Sequence, residues 1–204
     1  MSYSAHDQFS VGPGAHMSLF IQNLDEHKTL FSKLEALQAH VGVAGDLLVD
    51  TIRRGNKIML CGNGGSAADS QHLAAEFTGR FIKDRPPLAA MALSTDSSAL
   101  TCISNDYAFD QVFVRQVQGL GQPGDCLVGI STSGNSSNVT LAVEHARANG
   151  ISTIGLLGRD GGTIAPLCDV AIIVPSTTTA RIQEAHILIG HTLCGAVEQA
   201  LGFA

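Results

Sequence analysis

The sequence predicts an α/β protein with a doubly wound parallel sheet, and three observations indicate this fold class. Five apolar runs of four to six residues lack strict polar alternation, as strands buried on both faces of a sheet do. Stretches with helical periodicity separate these runs, and the repeated alternation of strand and helix favours a parallel sheet. The chain has 204 residues, 45% of them hydrophobic, which suits one sizeable domain with a helical extension.

The region before the first strand is predicted to be helical. From residue 18 to about residue 54, apolar side chains recur at intervals of three and four, which is typical of two or three helices. Residues 1–17 are polar, aperiodic and contain glycine and proline, so we expect a disordered tail there. The single domain is expected to cover residues 18–204, with its sheet starting near residue 57.

The remaining elements are predicted in alternating order along the chain. The strands are predicted at residues 57–60, 88–93, 126–130, 153–157 and 170–174. The helices are predicted at residues 66–81, 109–120 and 136–149, with a last helix at residues 180 to about 201. Because parallel strands need crossover connections, these helices are expected to flank the sheet.

Composition and charge argue against several classes of protein. The net charge is −6 and no basic run is present, so a nucleic-acid footprint is not indicated. The five cysteines are scattered and form no CxxC pair, so we expect reduced thiols in a cytoplasmic protein. No apolar stretch approaches the roughly 20 residues of a membrane span, and the N-terminus lacks the basic-then-apolar order of a secretory signal.

Two loops rich in glycine and small polar residues follow predicted strands and lead into helices. The first, GNGGS, covers residues 62–66, and the second, STSGNS, covers residues 131–136. In open α/β sheets, ligands bind beyond the carboxyl ends of the strands. Glycine lets the backbone approach a ligand closely, and hydroxyl groups with helix-start amides converge on an anion. Two such loops in one sheet favour a phosphate site over the alternative, ordinary strand-to-helix turns capped by serine.

Two other phosphate-binding motifs explain these loops less well. The chain has no GxxxxGK[ST], which a P-loop nucleotide site requires. Residues 62–67 satisfy GxGxx(G/A), but a dinucleotide site also needs an acidic residue about 20 positions further on. The candidate acid, Asp96, lies about 30 positions away, so a dinucleotide site is not favoured.

A histidine and a carboxylate share one face of the helix after the first loop. His72 and Glu76 are four residues apart, about one helical turn. The last helix carries a second polar group, Gln183, Glu184, His186 and His191. The two helices could together hold a divalent metal of the zinc type, or a carboxylate and an imidazole could shuttle protons on a sugar phosphate. The alternative is a surface pair on one helix and packing histidines on the other, and spacing alone does not show that the helices meet.

Further motifs continue this pattern along the chain. In order, they are GNGGSAAD at residues 62–69, QH at 71–72, AEF at 75–77, ND at 105–106, STSGNS at 131–136, DGG at 160–162 and RIQE at 181–184. From about residue 30 to the C-terminus, the chain resembles the phosphoheptose isomerases of the sugar isomerase (SIS) domain family. The loop motifs are common to the wider family, whereas the combination of His72, Glu76, Gln183 and His191 is more specific.

The resemblance implies a fold, an assembly and a reaction. It implies a five-stranded parallel sheet flanked by helices, in a homotetramer whose active sites lie between subunits. It implies conversion of sedoheptulose 7-phosphate to D-glycero-D-manno-heptose 7-phosphate through an enediol, the first step toward ADP-heptose for lipopolysaccharide or a related glycan. Such a reaction needs a base at the carbon and an acid or metal at the oxygens, and no redox cofactor.

The resemblance also implies roles for individual residues. One Zn²⁺ per subunit would be bound by His72, Glu76, Gln183 and His191. The sugar phosphate would be held by Asn63, Gly64, Gly65, Ser66, Glu76, Asn105, Asp106, Ser131, Thr132, Ser133, Ser136 and Gln183. Glu76 would act as the base and His191 as the acid. The chain departs from some relatives at Ala180, where these carry an aspartate with an assigned substrate or catalytic role.

The residues leave two other functions open. A related SIS protein binds the replication initiator DnaA and keeps the RIQE stretch, but it lacks the carboxylate and the second histidine, which are present here as Glu76 and His191. An isomerase for a sugar phosphate of another chain length would share the phosphate loops and the enediol chemistry. The loops alone therefore do not set the length of the sugar.

Overall fold

The computed structural model describes residues 13–203, with side chains described from residue 18 onward. Its strands are β1 (Ile58–Gly62), β2 (Ala90–Ala92), β3 (Cys126–Ser131), β4 (Ser152–Gly158) and β5 (Val170–Val174). They form one five-stranded sheet in the order β2-β1-β3-β4-β5, and every neighbouring pair is parallel. The predicted fold class, a doubly wound parallel sheet with an N-terminal helical extension, is confirmed.

Helices surround this sheet and precede it. In the described part of the chain they are α1 (Pro13–Phe31), α2 (Gln38–Arg53), α3 (Gly65–Thr78), α4 (Ser97–Asp106), α5 (Val114–Leu120), α6 (Ser137–Ala148) and α7 (Thr179–Ala200). α1 begins at Pro13, inside the segment predicted as a disordered tail, and the rest of that segment, residues 1–12, lies outside the described residues. Of the helices described, none has the length and apolar character to cross a membrane.

Alternate residues of the central strands pack against two helical layers. In β1, Ile58 and Leu60 lie in one core with residues of α2, α3 and α7, while Met59 and Cys61 lie in the other with α5 and α6. Every residue of β1 and β3 is buried, which explains why these strands read as continuous apolar runs. Since helices cover both faces, the loops at the strand ends carry the polar groups that a ligand can reach.

Apolar periodicity does not predict α4, a ten-residue helix in which no side chain is fully buried. A local signal for its start is nevertheless present. The side chain of Asp96 accepts a hydrogen bond from the N–H of Ala99 at 2.9 Å, as an N-cap residue does. The helix predicted at residues 109–120 is also divided, into a 3-10 turn at Phe109–Gln111 and α5.

The strand order gives the sheet a topological switch point, where its direction reverses. β2 lies on one side of β1, whereas β3, β4 and β5 follow on the other, so the order reverses between β1 and β3. Connections leave adjacent strands in opposite directions at such a switch point, and ligands bind in the opening between them. β1 ends at Gly62 and β3 ends at Ser131, so the two polar loops flank this opening.

Candidate active site

The first polar loop is joined, across the switch point, to the helix that follows the second loop. The side-chain amides of Asn63 and Asn138 exchange two hydrogen bonds of 2.9 Å, one in each direction. Asn138 is buried in the first turn of α6, and its oxygen also accepts the N–H of Val139 at 2.9 Å. Asn63, a predicted substrate residue, therefore uses its side chain to hold the first loop against the start of α6.

The second loop gathers three hydroxyl groups. The Oγ of Ser131 lies 2.9 Å from that of Ser136 and 3.5 Å from that of Ser133. The backbone turns at Gly134, whose φ of +68° is left-handed, and a Cβ there would collide with the carbonyl of Gly161. Ser136 precedes α6 as its N-cap residue, so these hydroxyls lie at the positive end of a helix dipole. The arrangement suits a phosphate.

The histidine and carboxylate of α3 meet the histidine of α7 within one protomer. His72 Nε2 lies 2.9 Å from His191 Nε2 and 3.4 Å from Oε1 of Glu76. One ligand atom from each of the three side chains lies within 4.8 Å of the other two. Glu76 and His191 are half-buried and His72 is exposed, so this His–Glu–His cluster borders solvent. Spacing left open whether the two helices meet, and the packing of α3 on α7 brings them together.

The donor set of this cluster fits a divalent cation of the zinc type. Imidazole nitrogens and carboxylate oxygens bind zinc at about 2.0–2.2 Å, with tetrahedral geometry. Two nitrogens held at that distance in a tetrahedral site lie about 3.3 Å apart, close to the 2.9 Å between the two imidazoles. The cluster can therefore hold a metal ion, and its carboxylate and imidazoles can also transfer protons.

Gln183, the fourth predicted metal ligand, lies against the start of α3. A Cβ on Gly65 would overlap the side-chain amide of Gln183, so only glycine leaves room for that amide. Gln183 precedes His191 by about two turns of α7, and Gly65 precedes His72 by about two turns of α3. Gln183 therefore connects the first polar loop to the helix that carries the second histidine.

Asp69 is a further carboxylate beside the cluster, and the sequence motifs assign it no role. It precedes His72 by three residues, a spacing that places both side chains on one face of α3 and could have indicated its position. Its Oδ2 is shielded from solvent and has no hydrogen-bond partner among the described residues. Burial raises the pKa of Asp69, and the nearby His72 and His191 oppose that rise in part.

The other predicted binding residues divide into two groups. Gly64, Ser66 and Thr132 belong to the polar loops or to the helix start beside them, and Gly64 takes a left-handed φ of +55°. Asn105 and Asp106 are exposed at the end of α4, where the amide of Asn105 donates a hydrogen bond to Asp106 at 2.8 Å. Among the residues described, neither of these two side chains hydrogen-bonds to the polar loops.

His186 lies outside the cluster, in the interior of the protein. Its side chain is fully buried, and its Nε2 lies 3.0 Å from the carbonyl oxygen of Leu157 in β4. Burial lowers the pKa of His186 to about 4, although the hydrogen bond to Leu157 opposes that shift. His186 thus serves the packing of α7 on the sheet, one of the alternatives that the sequence left open.

We expect His186 to make the protein less stable in acid. An unfolded histidine has a pKa of about 6.5 and the folded one a pKa of about 4. Between these values the unfolded state binds more protons, so the free energy of unfolding falls as the pH falls, by about 2 kcal/mol from pH 7 to pH 5. His186→Gln keeps an N–H group that can bind the carbonyl of Leu157, but its side chain does not titrate. From pH 7 to pH 5, the free energy of unfolding of this variant should therefore fall by about 2 kcal/mol less than that of the wild type. Urea unfolding at both pH values measures the difference, and equal losses in the two proteins would contradict it.

The fold and the site together define a class of protein. A parallel sheet in the order β2-β1-β3-β4-β5, with serine- and glycine-rich loops at its switch point, is the architecture of a SIS domain. The family model described as SIS domain matches residues 22–158 of this chain.

Relatives and solved structures narrow this class. The phosphoheptose isomerase of a Nitratiruptor species is 56% identical over 180 residues, which are 88% of this chain and 96% of that protein. The phosphoheptose isomerase of Trichlorobacter lovleyi is 52% identical over 185 residues, 90% of this chain and 94% of that protein. The structure of phosphoheptose isomerase GmhA from Neisseria gonorrhoeae has a TM-score of 0.86 at 46% identity, covering 91% of this chain and 100% of that one. The chain belongs to the SIS domain family and, within it, to the phosphoheptose isomerases.

Proposed function

We propose that the protein is an aldose–ketose isomerase that converts sedoheptulose 7-phosphate to D-glycero-D-manno-heptose 7-phosphate through an enediol. This reaction is the first step of ADP-heptose biosynthesis, which supplies heptose for lipopolysaccharide or a related glycan. The observation that carries the proposal is the meeting of His72 and Glu76, on the helix that follows the first phosphate-type loop, with His191 of α7. The relatives named above, all phosphoheptose isomerases, support the same activity.

The reaction moves a proton between two neighbouring carbons of the sugar. We assign the base to Glu76: it takes a proton from C1 of the ketose while the C2 carbonyl oxygen gains one, which gives the enediol. The C1 hydroxyl then loses its proton while C2 gains one, which gives the aldose. His191 is assigned the proton transfers at the two oxygens. Each such group typically contributes about 10²–10⁴-fold to the rate.

The polar loops are assigned to the phosphate and the sugar hydroxyls. The hydroxyls of Ser131, Ser133 and Ser136 lie together at the start of α6, where the helix dipole favours an anion. The remaining substrate contacts are assigned to Asn63, Gly64, Gly65, Ser66, Glu76, Asn105, Asp106, Thr132 and Gln183. When one loop binds the phosphate, the opposite end of the sugar, with the reacting carbons C1 and C2, is free to bind at the His–Glu–His cluster.

His72, Glu76, Gln183 and His191 are proposed to hold one zinc ion per subunit. When bound, zinc supplies Lewis-acid stabilisation of the negative charge that develops on the sugar oxygens. The spacing of the two imidazoles and the carboxylate supports this assignment. A carboxylate bound tightly to a metal is a weaker base, so we expect Glu76 to be a loosely bound ligand.

We also propose a cytoplasmic homotetramer whose active sites lie between subunits. Three consecutive large apolar residues of α1, Leu19, Phe20 and Ile21, are exposed, and exposed apolar surface of this kind is typical of a contact with another subunit. Asn105 and Asp106 are assigned to the substrate but lie exposed at the end of α4, which suits a site completed by a second subunit. All five cysteines are free, as in proteins of a reducing compartment.

Turnover of sedoheptulose 7-phosphate by the purified protein tests this function. We expect NMR to show formation of the aldose phosphate up to equilibrium. Ketose phosphates of five, six and eight carbons serve as comparisons, and their kcat/KM should be lower by at least about tenfold. Preference for one of these would keep the chemistry and change the substrate. No turnover, with or without added Zn²⁺, would contradict the proposal and favour a non-catalytic binding protein.

A further inference from the structure

The irregular segment between α3 and β2, residues 79–89, is held by a buried ion pair. Arg85 Nε lies 2.6 Å from Oε1 of Glu198, and both side chains are 0% exposed. Glu198, near the end of α7, also accepts the backbone N–H groups of Phe81 at 2.9 Å and of the next residue at 3.1 Å. Arg85 donates to four backbone carbonyls, including that of Glu76 at 2.8 Å. The pair thus fixes this segment to both helices that carry the His–Glu–His cluster.

Phe81 extends from this segment to the imidazole of His191. The two rings stack with their centroids 5.3 Å apart and their planes 28° apart. The Phe81 ring also covers Gly195, one turn after His191, where a Cβ would lie 3.5 Å from its Cε1. The ring of His72 meets the same imidazole nearly edge-on, with centroids 5.1 Å apart and planes 64° apart. The imidazole of His191 therefore contacts the ring of Phe81 with one face and His72 with its Nε2 atom.

These ring contacts matter because the side-chain torsion χ2 of a histidine has a broad range of allowed values. Rotation about the Cβ–Cγ bond has no sharp minimum that would by itself direct Nε2 toward one partner. A stacked aromatic ring favours one orientation of its partner by about two- to tenfold. Because His191 Nε2 lies 2.9 Å from His72 Nε2, the favoured orientation here is the one in which both histidines can serve the same ion or the same proton transfer.

We propose that Phe81 is a positioning residue, whose ring holds the imidazole of His191 so that Nε2 faces His72, and that the buried Arg85–Glu198 pair holds Phe81 in place. Phe81 has no group that binds a metal or transfers a proton, so its effect passes through His191. The effect on catalysis rests on the proposed function. The effects on the imidazole and on metal affinity do not.

Substitutions at Phe81 distinguish the effect of its aromatic stacking on His191 from the effect of its apolar volume. Phe81→Leu keeps an apolar side chain over Gly195 and removes the aromatic face, whereas Phe81→Tyr keeps that face. Phe31→Leu makes the same change at a partly buried phenylalanine of α1, which stacks on His27, a histidine outside the His–Glu–His cluster, and it is the matched control. Phe81→Met, with a flexible side chain of similar volume, replaces Phe81→Leu if the leucine variant does not fold.

Three measurements test the positioning role. The affinity of the metal-free protein for Zn²⁺, from calorimetry, should fall about five- to tenfold in Phe81→Leu and stay within about twofold in Phe81→Tyr and Phe31→Leu. In zinc-saturated Phe81→Leu, kcat should fall by a similar factor while KM changes by less than about twofold. The ¹⁵N NMR signals of His191 in the metal-free protein should shift in Phe81→Leu and not in Phe81→Tyr, because only the first loses the stack.

Two results would overturn the inference. The first is a Phe81→Leu or Phe81→Met variant with unchanged Zn²⁺ affinity and unchanged His191 signals. The second is an equal loss in Phe31→Leu, which would assign the effect to general destabilisation. If even the wild-type protein isomerises no sugar phosphate, the proposed function fails, while calorimetry and NMR still decide the role of Phe81.

Discussion

Replacing Glu76 by glutamine should lower kcat at least about 1,000-fold and leave substrate binding largely intact. Glutamine has the size and shape of glutamate but no basic oxygen that can take a proton from C1 of the sugar. The surrounding structure should persist, because the backbone carbonyl of Glu76 is held by Arg85 at 2.8 Å. The new amide can also still contact His72, which lies 3.4 Å from Oε1 in the wild-type protein. The expected defect is therefore chemical.

Incorporation of deuterium from D₂O measures the proposed proton transfer directly. The wild-type protein should place solvent deuterium at C2 of the aldose, and Glu76→Gln should not, although calorimetry should show substrate affinity within about threefold. Glu144→Gln, at an exposed glutamate of α6, is the matched control and should retain full activity. Because Glu76 is also a proposed metal ligand, both variants are compared at equal zinc content. Near-normal incorporation by zinc-loaded Glu76→Gln would remove Glu76 as the base.

The two halves of the cluster could be predicted from the sequence, but their meeting could not. His72 and Glu76 share a helix face because they are four residues apart, and this spacing can be read from the sequence. The approach of His191 depends on how α7 packs on α3. Gly190 permits that packing because it has no Cβ: a Cβ at this position would clash with a methyl carbon of Leu73, only 2.6 Å away. Such contacts join residues more than 100 positions apart, and no local period encodes them.

Local patterns in the sequence identify some parts of the fold and of the site, and they miss the parts that depend on distant contacts. β1 and β3 could be located because burial on both faces produces continuous apolar runs. Two hydrogen bonds join Asn63 of the first loop to Asn138 in α6, 75 positions further along the chain, so the partner of Asn63 is not apparent from either loop motif. Phe81 lies near the helix that carries the motif, yet its ring contacts His191 and its backbone N–H binds Glu198, and both partners are more than 100 positions away in the chain.

Breaking the buried Arg85–Glu198 pair should produce the largest loss of stability that we predict. Glu198→Ala leaves the guanidinium of Arg85 buried without a counter-charge, and it also leaves two backbone N–H groups of the 79–89 segment without their acceptor. Removing one partner of a buried ion pair typically costs about 3–5 kcal/mol. This is a large share of the roughly 5–15 kcal/mol by which a typical domain is stable. The segment that carries Phe81 should therefore loosen first and weaken the whole domain.

Denaturant unfolding of a double-mutant cycle measures the strength of this pair. Glu144→Ala is the control for removal of an exposed helical glutamate and should change the free energy of unfolding by no more than about 0.5 kcal/mol. Arg85→Met with Glu198→Ala removes both charges, so the double variant should be less destabilised than the sum of the single variants by at least about 2 kcal/mol. The double variant should still be less stable than the wild type, because the backbone groups that Arg85 and Glu198 satisfy remain without partners. Additive effects would instead mean that the two side chains act independently, and that the charge pair does not hold the 79–89 segment to α7.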